Sequence, residues 1–96
     1  MNRLQLVDRV ASRLGASKAE TDRILVTTLE EIISAVHRGE SVTLIGFGTF
    51  RCVETAPRTG RNPATGDTIH IPKTLKPKFV PGTSFRSIIN SKMQDE

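Results

Sequence analysis

Arg58, Arg61 and Pro63 fall within one short segment, Arg58-Thr59-Gly60-Arg61-Asn62-Pro63-Ala64-Thr65-Gly66, whose composition suits binding better than packing. Gly60, Asn62, Pro63 and Gly66 are turn formers, and strand-like residues lie on either side, so the segment reads as the tip of a long β-arm. Both of its charges are arginine, and it carries no large apolar side chain that could join a core. Guanidinium groups on a projecting turn suit a narrow groove of strongly negative potential. A rigid apolar ring at the apex can enter an opened base step and hold a kink. An isolated Asn-Pro is usually a plain turn, but Pro63 follows two arginines on a long arm. The segment therefore predicts contact with the minor groove of a duplex nucleic acid.

The charge map agrees. The 96-residue chain carries a net charge of +4. Residues 1–50 and residues 79–96 each balance to zero, whereas residues 51–78 hold Arg51, Arg58, Arg61, Lys73, Lys76 and Lys78 against Glu54 and Asp67. The whole excess thus sits on the arm and its two legs, an electrostatic footprint for a polyanion. Cations that displace condensed counterions give an affinity that falls steeply with salt.

Other chemistries find little support. Cys52 is the sole cysteine, so an intrachain disulfide and a thiolate metal cluster are both excluded. A lone strand cysteine with no evident histidine partner reads as buried and inert. Neither His37 nor His70 has partners at metal-ligand spacing, and no glycine-rich loop ends in Gly-Lys-Ser/Thr. Ile45-Gly46-Phe47-Gly48-Thr49-Phe50 partly matches an RNA-recognition strand, but Ile45 and Thr49 replace its basic and stacking residues. Phe47 and Phe50 are expected in the core. No catalytic residue, metal or cofactor is expected. The N-terminus enters an amphipathic pattern without an apolar signal core, and no apolar run approaches membrane-spanning length. These features point to a soluble cytoplasmic protein.

The elements that position the arm follow from periodicity and breakers. Asn2 can cap a helix with Leu6, Val7, Val10, Ala11 and Leu14 on one face, ended by Gly15. Ser17-Lys18-Ala19-Glu20 reads as a capping box, with Glu20 reaching back, before a helix of about 21 residues and roughly 30 Å that stops at Gly39. Val42–Ile45 predicts a short strand, Gly46-Phe47-Gly48 a corner, and Thr49 to about Ala56 a second strand. Beyond the tip, Thr68–Ile71 returns and Leu75–Val80 forms a third strand. Pro57, Pro72 and Pro77 assign these legs to a sheet edge or an unpaired ribbon. Phe85, Ile88 and Ile89 mark a short last helix, and the polar tail 91–96 is expected to fray.

Without an arm of about 20 residues, roughly 75 remain, near the size at which one core needs a staple. With no disulfide or metal set, oligomerisation is the staple left. Phe47, Phe50, Phe79 and Phe85 all lie outside the first two helices, where a second subunit could share them. An intertwined dimer would also present two arms.

GFGTF at 46–50, RTGRNPATGD at 58–67 and PKFVPG at 77–82 closely resemble the bacterial histone-like HU/IHF family, in order over residues 1–90. The resemblance implies an α+β fold: an intertwined dimer with a helical base, a three-stranded antiparallel sheet per subunit and two extended β-ribbon DNA-binding arms. The arm would span about 54–74 within a single domain, 1–90. Arg58, Arg61 and Asn62 match family residues that contact the minor groove, and Pro63 matches the intercalating proline. Arg51, Lys76 and Lys78 would meet phosphates on or near the saddle, with Lys73 adding charge at the arm's base. Family positions that are often basic carry Val53, Thr55, Asp67, His70 and Thr83 here, which moves electrostatic weight from the tip towards the base.

The resulting expectation is a non-catalytic architectural protein of the nucleoid. Its partners would be double-stranded DNA, bent with little sequence preference, and a second subunit, identical or related. No membrane or small-molecule substrate is expected. Two alternatives stay open at this point. One is a sequence-selective IHF-like subunit; the other is a dimeric scaffold whose basic arm docks acidic proteins. An isolated hairpin is marginal in water, so the arm tip is expected to be disordered without DNA.

Overall fold

Two helices open the chain, each bounded by its own capping chemistry. The structure, a computed structural model, describes residues 1–94. α1 spans Arg3–Leu14 and α2 spans Lys18–His37. Asn2 accepts a hydrogen bond from the Gln5 backbone N–H at 2.9 Å, and the Gln5 side chain accepts from the Asn2 N–H at 2.9 Å. This reciprocal pair satisfies two donors that the helix itself leaves orphaned. Gly15, at φ 65°, closes α1 in the left-handed conformation that costs glycine least.

At α2 only half of the expected capping box forms. Ser17 Oγ accepts from the Glu20 N–H at 3.1 Å, but the Glu20 carboxylate takes Arg23 at 2.8 Å instead of reaching back. A charge-assisted bond to a guanidinium outcompetes a neutral backbone donor. At the other end the Gly39 N–H donates to Val36 O and the Glu40 N–H to Ala35 O, a Schellman stop with Gly39 at φ 86°.

Residues 1–34 and 35–96 form two compact units. Within the first, Val7 and Ala11 are buried, while Leu4, Leu6, Val10, Leu14, Ile24, Leu29 and Ile33 are exposed.

The second unit is α+β. Its strands are β1 (Val42–Leu44), β2 (Gly48–Glu54), β3 (Arg58–Arg61), β4 (Thr68–Ile71) and β5 (Leu75–Pro81), followed by α3 (Thr83–Gln94). β1, β2 and β5 make an antiparallel sheet in the order β1-β2-β5, and β3 and β4 make a separate two-stranded ribbon. Pro77 and Pro81 lie on β5, an edge strand, where a missing donor leaves no central ladder bond unmade.

One register runs through both ladders. Glu54 faces Leu75, and four residues further along each strand Arg58 faces Ile71. Between them the Thr55 N–H donates to Thr74 O at 2.8 Å, the Thr74 N–H donates to Thr55 Oγ1 at 3.0 Å, and the two hydroxyls meet at 2.9 Å. The same register sets Pro57 opposite Pro72. Neither has an N–H to give, so the ladder breaks there.

The sheet's inner packing comes from its phenylalanines. Phe50 and Phe79 are paired across β2 and β5 with ring centroids 4.8 Å apart. Phe47 lies 5.3 Å from Phe79 and 5.4 Å from Phe85 at the start of α3. These rings pack on one another within the chain, yet Phe47 and Phe79 stay 43% and 37% exposed, which leaves room for a second subunit against them. Packing is close enough to require a glycine at 48, where a Cβ would lie 2.5 Å from the Phe79 ring and 2.6 Å from Val80 O.

Three boundaries differ from the sequence reading. β2 ends at Glu54, not near Ala56, because Pro57 cannot extend the ladder. Arg58–Arg61, Gly60 included, is strand and not turn. α3 continues through residues assigned to a polar tail as far as Gln94; the frayed end expected at residues 95 and 96 lies outside the described residues.

Candidate nucleic-acid interface

The arm tip is a tight turn of six residues, Asn62 to Asp67. The Asn62 N–H donates to Asp67 O at 2.8 Å, and the Gly66 N–H donates to Asn62 O at 2.7 Å. Asn62 Oδ1 accepts from the Ala64 N–H at 2.9 Å, an Asx turn that pins the entry to the loop. Gly66 takes φ 75°, the left-handed step that lets the chain rejoin β4. Pro63 is exposed at this apex. Asn62, expected as a groove contact, thus spends its side-chain oxygen on the turn, while its side-chain N–H groups make no hydrogen bond among the described residues.

Strand alternation decides which cations stand together. In β2 and β5, Phe50, Cys52, Pro77 and Phe79 share one parity and face the aromatic cluster. Arg51, Val53, Lys76 and Lys78 share the other, with Arg51 directly opposite Lys78 and Val53 opposite Lys76. Arg51, Lys76 and Lys78 are exposed. The three cations therefore form one patch on the side of the sheet away from the rings. Cys52, half-buried, belongs to the aromatic side and not to this patch.

Lys73 does not join them. Its ammonium reaches Glu54 at 3.8 Å, and Glu54 has the parity of the aromatic side. The other ion pairs among the described residues are Arg3–Asp22, Lys18–Asp8, Arg23–Glu20 and Arg38–Glu40. Arg51, Arg58, Arg61, Lys76 and Lys78 thus have no carboxylate within 4.0 Å among those residues. Like charges set opposite one another destabilise a sheet. Among the described residues, five cations thus stand without a carboxylate partner, three on the β2–β5 sheet and two on the β3–β4 ribbon.

On the ribbon, Arg58 pairs with Ile71 and Gly60 with Ile69, while Thr59 pairs with His70 and Arg61 with Thr68. A Cβ on Gly60 would sit 3.4 Å from Ile71 Cδ1, the movable end of the side chain paired with Arg58. His70 shares its face with Arg61, a juxtaposition that only the cross-strand register reveals.

Among the described residues, no three His, Cys, Asp or Glu side chains gather to hold a metal ion, and no helix is long and apolar enough to cross a membrane.

The fold and this patch define a class: α+β chains that offer a basic sheet face and a projecting, proline-tipped ribbon to a polyanion. Comparison with known proteins gives the family. A model described as bacterial DNA-binding protein matches residues 1–90, and the chain belongs to that family. It is 42% identical over 91 residues to DNA-binding protein HU of Xylella fastidiosa, covering 95% of this chain and 97% of that one. To DNA-binding protein HU of a Nostoc species it is 45% identical over 86 residues, covering 90% and 92%. Among solved structures, HU of Anabaena in a cocrystal with DNA is similar with a TM-score of 0.86 and 44% identity, covering 93% of this chain and 97% of that one. HU of Thermotoga maritima follows with a TM-score of 0.66 and 32% identity, covering 93% and 98%.

Proposed function

We propose that this protein is a histone-like architectural protein that binds duplex DNA as a dimer and bends it. The observation that carries this reading is the row of cations without carboxylate partners among the described residues, Arg51, Lys76 and Lys78, leading into the ribbon that bears Arg58, Arg61 and exposed Pro63. Phosphates complete the sheet patch, the arginines enter the minor groove, and Pro63 wedges a base step. Wedging of this kind is a generalisation drawn in part from this same family, with kinks of roughly 20° to 90°. Lys73, engaged by Glu54, contributes least.

Dimerisation follows from the core. Among the described residues the buried apolar side chains are Val7, Ala11 and Ala35, all short, while Leu4, Leu14, Ile24, Ile33, Ile88 and Ile89 are each more than half exposed. Such a chain gains its stability by burying these faces against a second copy. The similar HU of Anabaena crystallised with DNA supports the partner assignment. That the relatives are HU proteins favours general binding over an IHF-like selective subunit. The protein acts without catalysis and works at the nucleoid.

The test is energy transfer across end-labelled duplexes of unrelated sequence, over a salt series, with wild type and Pro63→Ala. All duplexes should bend, binding should weaken steeply with salt, and the variant should bind but bend less. A single strongly preferred sequence would reinstate the selective reading. Binding to acidic proteins but to no duplex would reinstate the scaffold.

A further inference from the structure

The ribbon leaves the sheet through a short stretch in which the ordinary ladder fails. Glu54 opposite Leu75 is the last pair of β2 with β5, and Arg58 opposite Ile71 is the first of β3 with β4. In an antiparallel ladder, alternate pairs exchange two backbone hydrogen bonds. Thr55 and Thr74 make one of these, from the Thr55 N–H to Thr74 O at 2.8 Å. The return bond goes to a side chain instead: the Thr74 N–H donates to Thr55 Oγ1 at 3.0 Å. By the same register, the next pair due to exchange bonds is Pro57 with Pro72, and neither ring has an N–H.

A hydroxyl thus stands in for a carbonyl where the two strands part. Thr55 is half-buried, and its Oγ1 also lies 2.9 Å from the Thr74 hydroxyl and 3.2 Å from Thr74 O. Threonine is stiff at χ1, so this oxygen is held in place. Among the described residues, the other polar tie across the stretch is the Lys73–Glu54 ion pair, at 3.8 Å with both side chains 63% exposed. An exposed pair of that kind contributes little and is screened by salt. Beside the clasp opens a recess of about 420 Å³, lined in part by Ala56, Arg58, Ile71 and Pro72, which leaves the ribbon room to swing.

We propose that the Thr55 hydroxyl is a positioning group for the arm. By clasping Thr74 it fixes the direction in which the ribbon leaves the sheet and limits its swing about the Pro57–Pro72 gap. The functional consequence rests on the DNA-binding reading above. A clasped arm presents Pro63 and the arginines already aimed, whereas an unclasped arm must be ordered on binding, which lowers affinity and makes the bend less uniform. The clasp holds no cation, so the salt exponent is independent of it.

The test compares wild type with Thr55→Val, Thr55→Ser and Thr74→Val, each checked for folding by circular dichroism. Valine keeps the shape of Thr55 and removes the acceptor, and serine keeps the acceptor. Thr74→Val retains its own N–H bond to Thr55 Oγ1 and loses only the hydroxyl pair. Relaxation of amides 58–61 and 68–71 in the free protein reads the ribbon's motion. Energy transfer across an end-labelled duplex at saturation reads the bend. Thr55→Val should show larger ribbon motion, a lower and broader transfer distribution, and roughly three- to tenfold weaker binding at an unchanged salt exponent. Thr55→Ser should behave as wild type, and Thr74→Val should fall between. Ribbon motion and bend in Thr55→Val equal to those of wild type would overturn the proposal, as would a serine variant that behaves like the valine one. A shallower salt exponent in Thr55→Val would also overturn it, by making Thr55 part of a phosphate contact. Should wild type bind no duplex, the DNA-binding reading falls, while the motion of the free ribbon still decides the clasp.

Discussion

Replacing Lys78 by glutamine separates a patch built for a polyanion from a merely solvated one. Lys78 stands opposite Arg51 in the β2–β5 ladder, both are exposed, and neither has a carboxylate within 4.0 Å among the described residues. Opposed cross-strand residues sit about 5 Å apart, where two unit charges in water repel by roughly 0.8 kcal/mol before screening. Long side chains splay and salt screens, so relief of this repulsion should stabilise the free protein by a few tenths of a kcal/mol. That corresponds to a rise of about 1–2 °C in thermal midpoint. DNA binding should move the other way. A dimer loses two phosphate contacts, which makes the salt exponent shallower by about 1.8 and weakens binding about 30-fold at 0.15 M salt. Lys73→Gln is the matched control, since its ammonium already has Glu54 at 3.8 Å; its exponent should change by less than half as much. Melting curves and anisotropy titrations over a salt series read both quantities. An unchanged exponent in Lys78→Gln, or equal losses in the two variants, would refute the assignment of the patch to phosphate.

Two further outcomes follow from local geometry. Gly48→Ala should lower the thermal midpoint measurably, with a loss of roughly 1–3 kcal/mol, because its Cβ would lie 2.5 Å from the Phe79 ring and 2.6 Å from a backbone oxygen that cannot move aside. Amides of residues 60–66 should exchange fast in the free protein and slow on binding a duplex, since the tip is held by a turn and a four-residue ladder only. Strong protection there without DNA would contradict it.

Much of this molecule could be read before any coordinates. Asn2, Gly15 and Gly39 announce the helix ends because capping is local chemistry, satisfied within a few residues of the cap. The arm was equally plain, since Asn62, Pro63 and Gly66 act through their own backbone preferences, and Pro57 and Pro72 cannot donate to a ladder wherever they stand. The arginines and lysines between 51 and 78 located the excess charge.

What needed the tertiary structure was partnership. Glu20 lay at the right spacing for a capping box, yet it chose Arg23, a competition between two acceptable donors that spacing does not rank. Lys73 looked equivalent to Lys76 and Lys78, but only the pairing of β2 with β5 shows that Glu54 claims it while the other two stand with Arg51. Gly60 read as a turn residue until β4 closed against β3 and made it a strand position. His70 meets Thr59 and Arg61 only across the ribbon. The physical reason is the same in each case. Helix caps and turns are decided by neighbours in the chain, whereas side-chain company on a sheet is decided by register, and register is fixed by contacts between residues far apart in sequence.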